Sequence, residues 1–413
     1  MASVLYITYD GLTDSIGQSQ ILPYLLGSAQ AGHELTVISF EKPQRLALAG
    51  DQVRAQFAEH GIAWLPQQFR SSPPYLAKAI DMVAMRRAAA GAVRNHKFDL
   101  IHARSYQAAV TGLALKRKAG AKLLFDMRGF WPDQRREGGR WRSRSLLGSH
   151  LYRRWKAHEA RLIAGSDHIV ALTQAARQEM LTWPSYRGAP ISVIPCCADF
   201  DLFALPSAEA RRVVRQRLEL QDDTPILGYL GSIGTVYRLA PHFALLRRLR
   251  DSSGAKGLFI CRESESEILD EARKLGTPLS PDDIRVVRAE RAEVPSWLGA
   301  VDVATCFITP TFSSLGVSPT KLGEYWACGV PVYANAGIGD VAQLIGEVDG
   351  GQLLPDLGDA SVDLAAAQFA TLAARDPTAL RERARARLDL GRAIDAYARI
   401  YDDWQQPVSL VAA

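Results

Sequence analysis

Compact apolar runs of strand length alternate with amphipathic stretches of helix length along this chain, and the series occurs twice. The first series has strand-like runs at 4–9, 35–40, 63–65, 100–102, 122–125, 168–172 and 191–194. Helical spacing fills the gaps at 19–31, 46–59, 75–94, 108–118, 146–164 and 174–182. The segment 195–206, opened by Pro195, reads as a hinge, after which the alternation restarts. Strand-like runs follow at 226–230, 257–261, 284–287, 301–307 and 331–333, with helical segments at 242–251, 265–275, 360–373 and 377–388. A last helix near 394–404 carries Ile394, Tyr397, Ala398 and Tyr401 at helical spacing. Strands that are apolar throughout, separated by helices, belong to parallel sheets covered on both faces. The pattern predicts an α/β chain of two domains. Residues 1–198 form the first, completed by a terminal helix over 391–413, and residues 199–390 form the second. With 413 residues, each domain has enough chain for its own core. In open α/β sheets, ligands bind beyond the carboxyl ends of the strands.

The segment from Ser318 to Val332 carries the clearest chemistry. Ser318 suits an N-cap, Pro319 the first helical position, and Gly329 with Pro331 the stop. Lys321 then falls in the first turn, where the helix dipole disfavours a cation by a few tenths of a kcal/mol. A lysine at a helix N-terminus reads as an anion site. Glu324, one turn on, adds a carboxylate that can hold sugar hydroxyls. Together they suggest a nucleotide-sugar pocket. Gly231, Ser232, Gly234 and Thr235 follow a strand and let backbone N–H groups approach phosphate. Gly11 and Gly17 lack the G-x-G-x-x-G spacing of dinucleotide folds, which disfavours a nicotinamide oxidoreductase. That loop reads as a flexible lid. His102, Asp126 and Arg128 lie at strand ends, where an acid, a base or an acceptor-positioning group is expected. His33, just after the helix stop Gly32, reads as structural. Asp199-Phe200-Asp201 mimics a metal-binding D-x-D but lies in the hinge segment, and no His, Cys or carboxylate cluster has metal spacing.

The net charge of +5 is mild, but its distribution is not. Between Arg128 and Lys156 nine Lys/Arg face only Asp133 and Glu137, interleaved with Phe130, Trp131, Trp141, Leu146, Leu147, Tyr152 and Trp155. The segment 128–156 is expected to meet an anionic membrane surface or a lipid pyrophosphate. Nucleic acid is not expected, since no recognition motif accompanies the charge. The five cysteines form neither a disulfide framework nor a metal motif, which suits a reducing compartment. The opening residues read as a strand rather than a signal peptide, and no apolar run has the length of a membrane span. The expected location is cytoplasmic, with membrane association.

These motifs resemble the GT-B glycosyltransferases of family 4, a retaining, nucleotide-sugar-dependent group. The resemblance rests on Tyr9 to Asp14 with Gly17 to Gln20, Asp126 to Trp131, Pro195 to Phe203, Gly228 to Thr235 and Ser318 to Val341. It implies two Rossmann-like domains facing a central cleft. It also implies transfer of a sugar from a nucleotide-diphosphate sugar to an acceptor hydroxyl, in surface polysaccharide or glycolipid assembly. The acceptor would be a glycan or lipid-linked. No cofactor and no metal are expected. By position, donor binding falls to Gly17, Gln18, Gly231, Ser232, Thr235, Arg238, Gly316, Val317, Ser318, Lys321 and Glu324. His102, Arg128 and Asp126 fall on the catalytic, acceptor side. The family usually places a second Glu eight positions before the one at Glu324, and here Gly316 stands there. Backbone N–H groups of Leu315–Val317 are expected to stand in for it. The usual Arg and Lys pair after the first strand of the second domain is reduced to Arg238, so Lys321 is expected to carry the phosphate charge. Two alternatives stay open: a nucleotide-sugar epimerase or hydrolase on the same fold, and a non-catalytic nucleotide-sugar-binding protein.

Overall fold

The computed structural model describes residues 1–141, 144–234 and 236–404. Thr235, Arg142 and the expected helical residues 405–413 lie outside the described residues. Two compact units emerge, one of Met1–Pro195 with the chain from Gly391 onward, the other Cys196–Leu390.

The first unit is built on seven parallel strands: β1 (Ser3–Thr8), β2 (Glu34–Glu41), β3 (Ala63–Gln68), β4 (Leu100–Arg104), β5 (Lys122–Asp126), β6 (His168–Ala171) and β7 (Ile191–Val193). Their order is β3-β2-β1-β4-β5-β6-β7. The second unit has β8 (Ile226–Leu230), β9 (Lys256–Ile260), β10 (Ile284–Val287), β11 (Val303–Cys306), β12 (Val332–Asn335) and β13 (Gly351–Leu354), ordered β10-β9-β8-β11-β12-β13. In each sheet the order reverses direction once, between β1 and β4 and between β8 and β11. That reversal is the Rossmann-type switch point, where a crevice opens at the carboxyl ends. The central strands β4 and β8 are buried at every residue; β8 accordingly reads as an unbroken apolar run, while β4 also buries His102 and Arg104.

Several local expectations are corrected. The helix expected over 19–31 is two helices, Ser15–Gln20 and Leu22–Gln30, broken at Ile21. Pro23 is the cause, since it donates no hydrogen bond and its ring crowds the preceding turn. The helices Trp131–Glu137, Ala208–Arg217 and Val341–Val348 and the strand β13 were not legible as separate elements. Each is short, and short elements carry weak periodicity.

Candidate functional site

In the second unit, the helix Thr320–Ala327 sits beside the switch point and is buried along seven residues, from Lys321 to Ala327. Its cap differs from the sequence reading. Pro319 occupies the N-cap position, while the Ser318 hydroxyl accepts the Cys196 N–H at 3.1 Å. Lys321 is 6% exposed, and its Nζ has no hydrogen-bond partner among the described residues. It lies 3.5 Å from the centroid of the Tyr237 ring and 4.9 Å from that of Tyr229. Burial lowers its pKa from 10.5 to about 8, against the weaker opposing influence of Cys306 and Glu324. The ammonium borders Gly231, whose φ of +107° belongs to the left-handed region. A Cβ there would stand 3.4 Å from Nζ, so any other residue would bring strain at this φ and a side chain against the ammonium.

Glu324 does not pair with Lys321. Its Oε1 accepts from Arg291 Nη1 at 3.1 Å, and Arg291 follows β10 with its guanidinium 5.3 Å from the Phe203 ring centroid. Burial pushes the Glu324 carboxyl up in pKa, and Arg291 and Lys321 offset only part of that. Nothing in the sequence pattern pointed to Arg291, which lies 33 positions away. Replacing Arg291 by Met is expected to cost about 3 kcal/mol by stranding a buried carboxylate. Adding Glu324→Gln should return most of it, and a double-mutant cycle by urea unfolding measures the coupling.

The other expected donor residues are less uniform. Ser232 and Arg238 are exposed. The Ser232 carbonyl accepts from the Tyr229 hydroxyl at 3.0 Å, and Arg238 N donates to Phe307 O. Gly316 is buried at the end of a 3₁₀ turn, Phe312–Gly316. The N–H of Val317 is already spent on Ser314 O at 3.1 Å, so it does not stand in for the absent carboxylate.

In the first unit, the loop expected to be a flexible lid is fastened. Glu41, fully buried at the end of β2, accepts from Leu12 N (2.8 Å), Thr13 N (3.1 Å), Thr13 Oγ1 (2.6 Å) and Ser39 Oγ (2.6 Å). Gln18 Nε2 donates to Leu12 O at 2.8 Å. A Cβ on Gly17 would fall 2.0 Å from Gly11 O. Gly17 and Gln18 therefore act directly on the loop's shape.

His102, Asp126 and Arg128 are brought together. Asp126 Oδ2 lies 3.6 Å from His102 Nε2, and Oδ1 lies 3.7 Å from Arg128 Nη1. His102 Nδ1 meets the Tyr401 hydroxyl at 2.6 Å, a partner 299 positions away on the terminal helix. Arg128 Nη2 donates to Gln20 Oε1 at 3.0 Å, which Arg104 also approaches, and Arg104 pairs with Asp10. Burial lowers the His102 pKa, though Asp126 opposes it, so the ring is neutral at pH 7. Burial opposes the Asp126 carboxylate too, but Arg128, His102 and Arg104 outweigh it and hold its pKa below the ordinary value. Arg128 adopts φ +56°, backbone strain of the kind that collects at functional sites. His102 and Asp126 are interior, each 2% exposed, so neither presents itself to a ligand. Arg128 is the part-exposed end of the chain. Asp199 caps its own turn through Asp201 N and Leu202 N. Among the described residues no group of three or more His, Cys, Asp or Glu is placed to hold a metal.

Two doubly wound sheets, with a buried cation and carboxylate beside the second switch point, define a two-domain α/β protein of the GT-B class. Residues 26–202 match the model of Glycosyltransferase Family 4. No curated protein sequence matches it. Among solved structures it resembles sucrose-phosphate synthase from Thermosynechococcus elongatus, at 14% identity and TM-score 0.68, over 98% of this chain and 99% of that one. HepE of Anabaena, solved with UDP and glucose, is 15% identical with TM-score 0.65, over 97% and 100%. WaaG, a glycosyltransferase involved in lipopolysaccharide biosynthesis, is 13% identical with TM-score 0.67, over 96% and 99%.

Proposed function

We propose that this chain transfers a sugar, with retention, from a nucleoside-diphosphate sugar to an acceptor hydroxyl in surface polysaccharide or glycolipid assembly. The observation that carries the reading is the buried, unpartnered Lys321 ammonium beside Gly231, with Glu324 one helical turn on. A desolvated cation without a counterion gains most when a diphosphate arrives. Lys321 would bind the diphosphate, and Glu324, steadied by Arg291, would accept ribose hydroxyls. Gly231, Ser232, Thr235, Arg238, Gly316, Val317 and Ser318 would shape the donor pocket around them. As the sugar–oxygen bond breaks, charge builds on the leaving diphosphate, and Lys321 would stabilise it there. With no side-chain nucleophile assigned, the acceptor oxygen would attack from the face the diphosphate leaves, forming the new glycosidic bond as the old one breaks, and its proton would pass to the departing diphosphate oxygen. This scheme takes its charge from Lys321 and includes no metal. HepE was solved with UDP and with UDP-glucose, which supports a donor of this chemistry.

On the first unit, Arg128 would touch the acceptor, with Asp126 and His102 as positioning residues behind it. The acceptor would be a glycan or lipid-linked, met at the cytoplasmic face of an anionic membrane that the segment 128–156 faces. No helix among the described residues is long and apolar enough to cross one.

A thermal-shift panel of nucleosides, nucleoside diphosphates and nucleotide sugars tests the donor. The right diphosphate at a hundred times its Kd should stabilise by about 2.7 kcal/mol, and its nucleoside far less. A panel without any shift would sink the reading. Product analysis without acceptor separates transfer from epimerisation or hydrolysis of the donor.

A further inference from the structure

The basic segment 128–156 keeps its aromatic side chains to itself. Trp131 packs on Trp141 and Trp155 with ring centroids 5.1 and 4.8 Å apart, and Phe130 stacks on Trp183. These rings are spent inside the unit and are unavailable to a bilayer. A longer apolar stripe lies on the helix Pro74–Asn95, which the sequence marked only as one of the covering helices.

That helix turns its smaller contacts inward. Its buried residues are Ala77, Asp81, Met85 and Ala89, at the i, i+4 spacing of one face. The opposite face carries Tyr75, Leu76, Ile80 and Val83, which are 60%, 59%, 43% and 45% exposed. They occupy consecutive turns of one stripe, and exposed Arg86 and Arg87 continue it. Scattered exposed leucines are ordinary, whereas a contiguous apolar stripe marks an interaction site. The helix holds four cations against one acid, and that acid, Asp81, is buried and accepts from the Tyr9 hydroxyl and Arg70.

The neighbouring charges are of the same sign. Arg86 acts with Arg154 and Arg161 on His158 of the helix Leu146–Gly165, and all three lower its proton affinity alongside burial. Lys78 feels Arg135 in the same way at the other end of the stripe. Leu146, which opens the helix Leu146–Gly165, is 92% exposed, and Arg140, Arg144, Arg153 and Arg154 of the same segment are exposed as well.

We infer that the outward face of the helix Pro74–Asn95, flanked by exposed Arg86, Arg87, Arg140, Arg144, Arg153 and Arg154, docks on an anionic lipid bilayer. Tyr75, Leu76, Ile80 and Val83 enter the headgroup boundary while the arginines face lipid phosphates. The occupant follows from charge: a stripe of apolar residues bordered by unneutralised arginines complements an apolar layer beneath an anionic surface. An apolar stripe and a basic patch together supply the two signals that stable peripheral binding needs. This rests on the membrane partner proposed above and is independent of the donor site.

Sedimentation of the full chain with vesicles of phosphatidylglycerol and phosphatidylcholine tests it. The chain should bind vesicles containing phosphatidylglycerol, and less so as salt rises. Leu76→Asp with Ile80→Asp should lower binding about tenfold or more, without moving the melting temperature, because both side chains already face solvent. Arg86→Glu with Arg87→Glu should remove the preference for the anionic lipid. A dye on Leu76→Cys should shift to shorter wavelength on binding, and the five native cysteines are buried and spared. Equal binding to pure phosphatidylcholine, or an unshifted dye, would overturn the inference. So would a dimer that the two Asp substitutions disperse while vesicles bind nothing. The nucleoside-diphosphate thermal shift should survive in every variant, so that loss of docking and loss of the donor reading are separate results.

Discussion

Lys321→Met is expected to raise the stability of the second unit and at the same time to remove its affinity for diphosphates. The lysine pKa falls from 10.5 to about 8 on folding, so its protonated form is disfavoured in the native state. That difference corresponds to about 3 kcal/mol at pH 7. The faces of Tyr237 and Tyr229 return about 1–2 kcal/mol of it through cation–π attraction. Methionine fills the same space without the charge, so a net gain of about 1–2 kcal/mol is expected. The sign fixes a pH window. The cost is present in full below pH about 8 and fades towards 10.5. Wild-type stability should therefore climb across that window, and the Met variant should lack this rise. Diphosphate affinity should fall in the variant by about 3 kcal/mol, roughly a hundredfold in Kd, with nucleoside affinity unchanged. In the wild type, diphosphate affinity should weaken as the pH passes about 8, because the free lysine loses its proton there. Calorimetric titration and urea unfolding check both halves. Equal loss of nucleoside and diphosphate would refute the phosphate role, and a fall in stability would refute the buried-charge argument.

Asp126→Asn should be the most damaging conservative change in the first unit. The carboxylate is interior and faces His102 and Arg128, with Arg104 adding to the field. Asparagine keeps its volume and removes its charge, so Arg128 and His102 lose the buried carboxylate they face, at a cost of about 3 kcal/mol. The low pKa of Asp126 contributes stability above the ordinary value of 3.8 that is lost as the pH falls below it. The Asn variant should lack this part of the acid transition. Because Asp126 positions Arg128 without itself reaching a ligand, the kinetic effect should fall on the acceptor. The acceptor KM should rise about tenfold or more, and transfer should slow about a hundredfold. The donor thermal shift should not move. A loss of donor binding in parallel would show that the substitution had merely unfolded the protein.

The strands of the two sheets were readable because parallel strands buried on both faces are apolar without interruption, as Val4 to Ile7 and Ile226 to Leu230 show, whereas their order and the two switch points were not. Lys321 and Glu324 were readable as a pair on one helix because spacing fixes a shared face. Their partners were not. Arg291 reaches Glu324 from another element, Tyr401 reaches His102 from the far end of the chain, and Glu41 clamps a loop 28 and 29 positions before it. None of these has a periodicity, since each is a meeting of strand ends and loops that only the sheet order brings about. The cap at Ser318 misled for a related reason: its hydroxyl had a better use on Cys196 N than on its own helix.

The sequence by itself determined the α/β class, the two series of parallel strands and the helix that carries Lys321, because local apolar periodicity is a property of the chain alone, while the strand order came from tertiary structure. Tertiary structure decided that Lys321 is buried without a counterion, that Glu324 belongs to Arg291, and that His102 and Asp126 stand behind Arg128. It also decided that the helix Pro74–Asn95 shows its apolar side outward. Burial and charge pairing depend on what packs against a residue, and the neighbours here come from distant parts of the chain.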